Sequence, residues 1–296
     1  MKALPLLAAV VGLTAAASAP VAPRLAGCPV FPASNAWNQR VDKLPVAADS
    51  ATIVASIGRD APLHADFGSG RIGIPYDVVG RRTPRSRVVF DYADESDRGP
   101  YPIPARVHVE GGSDRHAILV DRSSCRLYEL YALRREGGRW HAGSGAIWSL
   151  RSNRLRPAGW TSADAAGLPI LPGLARYDEV ARGAIRHALR FTAPRTRRAY
   201  VWPARHFASD STDPHLPPMG LRLRLKASFD TRPFPRQARI VLVALKRYGM
   251  LLADNGSSWF VSGAPDQRWR NDQLHTLARV HGSDFEVVKP ATAVHP

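Results

Sequence analysis

Twenty-five prolines and 23 glycines are spread through the 296 residues, and this spread limits the fold more than any other feature of the sequence. Proline interrupts helices and central strands, and glycine favours turns, so the chain can form only short elements joined by turns. A hydrophobic content of 45% is still enough for a sizeable core. The interior has neither a repeat nor a low-complexity linker, which favours one domain.

Several segments alternate polar and apolar residues, as half-buried strands do, or form short apolar runs typical of buried strands. The predicted strands span residues 87–92, 106–110, 117–120, 125–131, 198–202, 220–225, 250–253 and 259–261. Turns predict two hairpins, one over 117–131 and one over 250–261 with Asp254-Asn255-Gly256 as its turn. Helical spacing of apolar residues predicts helices over 174–191, over 235–248 and near 271–281. The expected fold is mainly β: a single-domain β-sandwich or jelly roll with a few helical insertions.

The N-terminus has the order of a secretory signal peptide, in which Lys2 precedes an apolar run over residues 4–17 and small residues follow. We expect residues 1–19 to be this signal peptide and residues 20–296 to form a single secreted globular domain, secreted or periplasmic in location. No later segment approaches the ~18 uninterrupted apolar residues of a membrane span, so none is expected.

Two cysteines, Cys28 and Cys125, are the only ones in the chain, and an oxidising compartment would pair them in a disulfide. The alternative uses Cys28 alone, because residues 25–28 spell a bacterial lipobox in which its thiol would carry a lipid anchor. Two prolines and Arg24 separate this motif from the apolar run, which is unfavourable for a lipobox. The disulfide is the preferred expectation.

The formal net charge is +16, of which Lys2 in the leader supplies one unit. A surface of this sign attracts anionic partners, such as an acidic polysaccharide, at long range. The sequence has no helix-turn-helix, zinc-finger or RNA-binding signature, so no nucleic-acid partner is expected.

Nine short sequence motifs follow one another along the chain in an order that is characteristic of a family. They are GCPVFP (27–32), YADESD (92–97), GPYPIP (99–104), DRH (114–116), GWTSAD (159–164), GLPILPG (167–173), HALRFT (187–192), YVWPARH (200–206) and DNG (254–256). With them the chain resembles a family of secreted bacterial proteins, over nearly its whole length after the leader. The resemblance implies export and a single domain, and it assigns no activity.

Four carboxylates, Asp91, Asp94, Glu95 and Asp97, fall within seven residues at the end of a predicted strand. Carboxyl groups this close raise one another's proton affinity, so a protonated acid and an ionised base can coexist. Glycoside hydrolysis requires such a pair. The alternatives are an acidic loop neutralised by arginine and a calcium-binding loop. Asp94 and Glu95 are the predicted catalytic residues of this cluster.

A loop rich in glycine and proline, residues 160–172, contains Trp160 and Asp164. Polar and aromatic side chains on such loops often face a ligand. Asp164 is therefore the candidate second carboxylate, and Trp160 is a candidate to stack on a sugar ring.

His187 and Arg190 are close on a predicted helix, where Arg205 and His206 would meet them. Histidine can act as a general base, and arginine binds carboxylate or phosphate. Three histidines would alternatively hold zinc, but their spacing matches no metal signature, so no metal and no other cofactor is expected. His187 and His206 are predicted to be catalytic. The predicted substrate-binding residues are Trp160, Arg190, Tyr200, Trp202 and Arg205.

These features favour a secreted carbohydrate-active enzyme, a glycoside hydrolase that uses paired carboxylates on an extracellular polysaccharide. One alternative is a polysaccharide lyase acting on an acidic glycan, which the positive net charge favours. Another is a protein that binds glycans without catalysis. The sequence has no Gly-x-Ser-x-Gly elbow and no Walker loop, which excludes the common esterase and nucleotide hydrolase motifs.

Overall fold

The computed structural model describes residues 22–295, so the predicted signal peptide over 1–19 lies outside the described residues. The helices in that range are α1 (Ser50–Gly58), α2 (Tyr177–Ala181), α3 (Arg236–Arg247) and α4 (Asn271–His275). The strands are β1 (Arg24–Leu25), β2 (Cys28–Pro29), β3 (His64–Asp66), β4 (Tyr76–Val79), β5 (Val88–Phe90), β6 (Ala117–Asp121), β7 (Arg126–Leu130), β8 (Arg134–Glu136), β9 (Arg139–Ala142), β10 (Gly145–Ser149), β11 (Leu189–Ala193), β12 (Arg222–Leu225), β13 (Met250–Asn255), β14 (Phe260–Ser262) and β15 (Phe285–Val287). Among the residues described, no helix has the length and apolar character needed to cross a membrane.

A six-stranded sheet in the order β15-β12-β13-β11-β14-β3 forms the larger half of the fold. Its central strands β11 and β13 are parallel neighbours and are largely buried. Helix α3 packs Val241, Leu242 and Leu245 into the core of this half, since its apolar residues recur every three or four positions. Phe191 of β11 stacks on Trp259, with the ring centroids 5.9 Å apart.

The smaller half contains a four-stranded sheet, β10-β7-β6-β4, and a three-stranded sheet, β5-β9-β8. One apolar cluster takes Leu119 and Leu130 from the first sheet and Val88 from the second. Strand β6 is buried along its whole length, and its alternate residues Ile118 and Val120 belong to a second cluster. The mainly-β single domain expected from the sequence is confirmed.

Cys28 and Cys125 form the expected disulfide, with their Cα atoms 5.5 Å apart. Strands β1 and β2 make a small hairpin that leaves Cys28 only 1% exposed, beside the start of β7. The sulfur that a lipid anchor would need is therefore already bonded. The disulfide ties the start of the described chain to the four-stranded sheet.

Of the two predicted hairpins, one is confirmed and the other is wrong. Strands β6 and β7 pair antiparallel over their full lengths, which confirms the hairpin over 117–131. The hairpin over 250–261 is wrong, because β11 lies between β13 and β14, parallel to the first and antiparallel to the second. Asp254 therefore lies at the end of a central strand and pairs in register with Thr192.

The helix predicted over 174–191 is wrong for most of its length. Helix α2 ends at Ala181, and Gly183 adopts a φ of +90°, a left-handed conformation that a helix cannot continue. Leu189, Phe191 and Ala193 belong to β11, where residues two apart lie on the same face of the sheet. His187 and Arg190 therefore share no helix face.

Two predicted strands are also wrong. In residues 106–110 the N–H of His108 donates to the Asp77 carboxylate at 2.8 Å instead of joining a ladder. Residues 198–202 contribute only isolated bridges at Tyr200. The helices over 235–248 and 271–281 and the strands over 87–92 and 220–225 are confirmed with shorter bounds.

Candidate functional site

A cavity of about 530 Å³ is lined by segments from both halves of the fold. The 3-10 turn Ala93–Glu95 contributes Glu95, the loop over 161–165 contributes Asp164, and the end of β13 contributes Asp254. The other polar or aromatic lining residues include Tyr92, Asp114, Tyr131, Ser144, His206 and Asn255. The cavity thus has a carboxylate-rich wall with aromatic rings beside it.

Arg156 connects two segments of the cavity wall that contains Glu95. Its guanidinium donates to the carbonyl oxygens of Glu95 and Thr161, each at 2.6 Å, and to the Asp97 carboxylate at 2.7 Å. The N–H of Thr161 in turn donates to Oε2 of Glu95 at 2.8 Å. These bonds hold the acidic turn and the 161–165 loop together, so Glu95 has a fixed position.

Asp254 has the most perturbed carboxyl group that lines the cavity. Burial, reinforced by the negative charge of Asp164, raises its pKa to about 7. The guanidinium of Arg190 opposes this rise, with Nη2 lying 3.2 Å from Oδ2 of Asp254. Because 24% of the Asp254 side chain stays exposed, the group can exchange a proton with a ligand near pH 7.

Arg190 lies behind the cavity wall and fixes the position of Asp164. The guanidinium donates to both carboxylate oxygens of Asp164, from Nε at 3.0 Å and from Nη2 at 2.8 Å. Nη1 donates to the hydroxyl of Ser262 at 2.8 Å. The Asp164 side chain has no exposed surface, and Arg190 is also buried. This pair therefore supports the cavity wall, whereas Asp254 faces the space.

Two more ionisable groups, those of Glu129 and His116, lie buried behind the 161–171 segment. Burial raises the pKa of Glu129 to about 7, against the lowering effect of the N–H groups of Ile170 and Leu171, which donate to it. Burial alone would lower the pKa of His116, but its hydrogen bond to Glu110 and the charge of that residue raise it. The other ring nitrogen of His116 donates to the Ala163 carbonyl at 2.9 Å.

His206 lines the cavity, and its Nδ1 lies 2.9 Å from the Ala165 carbonyl oxygen. That carbonyl can only accept, so Nδ1 carries a proton and donates it. Its ring stacks on Phe207 at an interplanar angle of 6°. Among the described residues Nε2 has no hydrogen-bond partner, which leaves it available to a ligand.

The structure brings together three of the predicted catalytic residues, Glu95, Asp164 and His206. Asp94 is exposed and lies outside the cavity lining. His187 is buried elsewhere, where its Nε2 lies 2.9 Å from the Glu179 carboxylate and its Nδ1 lies 2.8 Å from a backbone carbonyl oxygen. The catalytic roles assigned to all of these residues from the sequence stay predictions.

The predicted substrate-binding residues are dispersed. Arg190 lies behind the cavity wall, and Trp160 precedes the lining residue Thr161 with the guanidinium of Arg156 5.4 Å from its ring centroid. Arg205 donates to the Arg156 carbonyl at 3.0 Å. Trp202 lines a different cavity, of about 170 Å³, and Tyr200 stacks on His295.

Sequence reasoning missed Asp254, Asp114, Tyr92 and Tyr131 as cavity residues. Asp254 belongs to the DNG motif at 254–256, whose composition predicts a hairpin turn. A strand that ends in Asp-Asn, placed centrally in the sheet, would have indicated a site, but only the non-local pairing with β11 reveals that position.

Within residues 22–295, no group of three His, Cys, Asp or Glu side chains is arranged to hold a metal ion. Comparison of the chain with protein-family models, with curated proteins and with solved structures finds no match. The resemblance to a family of secreted bacterial proteins therefore stays a prediction, and the function is argued from the geometry of the cavity.

Proposed function

We propose that the protein is a glycoside hydrolase with its active site in the carboxylate-lined cavity. The observation that carries the proposal is that Asp254, whose pKa is raised to about 7, and Glu95 line the same cavity. Glycoside hydrolysis needs one carboxyl group that is protonated near neutral pH and a second that acts as nucleophile or base.

In this proposal Asp254 is the general acid that protonates the leaving oxygen of the glycosidic bond. Its raised pKa keeps a substantial protonated fraction near pH 7. Glu95, fixed by the N–H of Thr161, is the nucleophile or the base that activates water. Asp164 and Arg190 are positioning residues, because their mutual hydrogen bonds set the charge around Asp254 without exposing Asp164.

The charge of the cavity favours a neutral or basic sugar as the group that is cleaved. The carboxyl groups of Glu95, Asp114 and Asp254 line it, and the buried ion pair of Asp164 and Arg190 lies behind them. A uronate carboxylate would be repelled by this wall, so hydrolysis is favoured over a lyase reaction on an acidic sugar. The rings of Tyr92 and Tyr131 supply faces for sugar stacking.

We also propose that the protein works outside the cytoplasm, secreted or in the periplasm. The Cys28–Cys125 disulfide is compatible with an oxidising compartment. The signal-peptide pattern over 1–19 supports the same location.

The test is turnover of a panel of neutral, amino-substituted and uronate polysaccharides, followed by new reducing ends and by ultraviolet absorbance. We expect reducing ends without absorbance on a neutral or amino-substituted glycan. The neighbours Asp94 and Glu95 provide a matched pair of variants, because only Glu95 lines the cavity. Glu95→Gln should abolish turnover while Asp94→Asn retains it. Absorbance from a new double bond, or binding without turnover across the panel, would refute the proposal.

A further inference from the structure

Another concave surface lies against the outer side of α3 and is lined by arginine. The cavity there measures about 450 Å³, and its basic lining residues are Arg40, Arg186, Arg236, Arg239 and Arg247. We call this surface the arginine groove. It shares no lining residue with the carboxylate-lined cavity, and no Asp or Glu of the described chain lines it.

The sequence of α3 produces this groove through its helical spacing. Arg236, Ile240, Val243 and Arg247 follow one another at intervals of three or four residues, and Arg239 lies three residues after Arg236, so all five lie on one stripe of the helix. The opposite stripe is buried in the core. Two half-buried aliphatic residues, Ile240 and Val243, lie among these arginines, and Ile240 also packs against the core.

The arginines of the groove have few carboxylate partners. Within residues 22–295, neither Arg186 nor Arg236 forms an ion pair, and the same is true of Arg239 and Arg247. Arg40 does form one, with Asp42. The four guanidinium groups in one concavity therefore concentrate positive charge that the protein itself does not neutralise.

The floor of the groove is apolar. Ile240, Val243 and Tyr248 are half-buried there, and Arg186 and Arg239 at the rim are exposed. An aliphatic and aromatic floor suits the apolar face of a sugar ring, and a guanidinium rim suits carboxylate or phosphate substituents. A nucleic-acid duplex is held through its phosphates and would leave this apolar floor unused, so the floor favours a glycan.

We propose that the arginine groove is a binding site for an acidic polysaccharide, separate from the carboxylate-lined cavity. Guanidinium groups on the rim bind the anionic substituents, and the ring of Tyr248 packs against the sugar chain. The site holds the protein on an anionic glycan matrix while the cavity, which repels acidic sugars, remains open. Binding at the groove does not depend on the proposed hydrolase activity.

The test measures binding of the full chain to immobilised polygalacturonate, which carries carboxylates, and to immobilised phosphomannan, which carries phosphates. The groove variant is Arg186→Gln/Arg239→Gln/Arg247→Gln, and the control is Arg81→Gln/Arg82→Gln/Arg87→Gln. The control removes the same charge from three exposed arginines that line neither cavity. We expect the groove variant to bind at least one of the two polymers about tenfold more weakly, or worse, and the control to stay near the wild type.

Three results would overturn the proposal. These are an equal loss in both triple variants, the absence of binding to both acidic polymers, and stronger binding to duplex DNA than to either polymer. Asp254→Asn separates the two sites, because it removes the proposed acid and leaves the groove intact. Unchanged polymer binding by Asp254→Asn is the expected result, and loss of binding in that variant would contradict a separate site.

Discussion

Asp164 and Asp254 share one nitrogen of Arg190: Nη2 lies 2.8 Å from Oδ1 of the first and 3.2 Å from Oδ2 of the second. Two carboxylates around one guanidinium leave an excess of negative charge. Asp164 keeps both its oxygens on Arg190, and burial of Asp254, reinforced by the charge of Asp164, raises the pKa of Asp254. The two members of the buried ion pair act on Asp254 in opposite directions: Asp164 raises its pKa and Arg190 lowers it.

The Arg190–Asp164 pair makes the fold sensitive to loss of the guanidinium. Arg190→Met leaves the buried carboxylate of Asp164 without its partner, and we expect a loss of ~3–5 kcal/mol in the free energy of unfolding. Urea denaturation measures the loss. Arg182→Met, which breaks the exposed pair with Asp178, should cost less than about 1 kcal/mol. Similar losses in the two variants would show that the buried Arg190–Asp164 pair stabilises the fold no more than the exposed Arg182–Asp178 pair does.

The buried carboxyl group of Glu129 makes the free energy of unfolding depend on pH, and its raised pKa fixes the direction of this dependence. Its folded-state pKa, about 7, is higher than the ordinary 4.5, so the folded protein binds the proton more tightly than the unfolded chain. The resulting stabilisation is complete below about pH 4.5 and is lost as pH rises through 7. Asp254 contributes with the same sign, and each group changes the free energy of unfolding by roughly 2–3 kcal/mol over that range.

Glu129→Gln keeps an oxygen for the N–H groups of Ile170 and Leu171 but removes the titration. We expect this variant to flatten the fall in stability between about pH 4.5 and 7, measured by thermal or urea unfolding at several pH values. Glu136→Gln, at a carboxylate that is 56% exposed, should leave the slope as it is. An unchanged slope in Glu129→Gln would refute the raised pKa.

The disulfide closes a long loop and should stabilise the fold accordingly. Cys28 and Cys125 are 97 positions apart, and replacing both with serine should lower the free energy of unfolding by about 4 kcal/mol. The purified protein should also show no free thiol before reduction. A free thiol, or an acyl group on Cys28, would contradict the pairing.

Local patterns predicted the elements whose neighbours are close in sequence. The β6–β7 hairpin and helix α3 are of this kind, since a turn or a helical stripe is visible within the segment itself. Strand β11 was missed because its partners β13 and β14 come some sixty residues later, and its apolar residues continue the helical spacing of the preceding segment. Parallel pairing leaves no local signature.

The same dependence on pairing between distant segments explains which site residues could be predicted from the sequence. Glu95 and the 161–165 loop were recognisable from their composition, and the guanidinium of Arg156 brings them into contact. The sequence around Asp254 predicts a turn, because the position of the end of β13 at the cavity depends on β11 lying between β13 and β14. Burial and the charge of Asp164 then raise its pKa, and neither can be seen in the sequence.

The most direct measurement is the pH dependence of glycan hydrolysis by the wild type and by Asp254→Asn, with Asp91→Asn as a control carboxylate outside the cavity lining. We expect a wild-type rate that falls as pH rises above about 7, because Asp254 loses its proton. Asp254→Asn should be slower by ~10²–10⁴-fold, and Asp91→Asn should keep the wild-type profile. Full activity in Asp254→Asn, or a wild-type rate that stays constant above pH 7, would contradict the account.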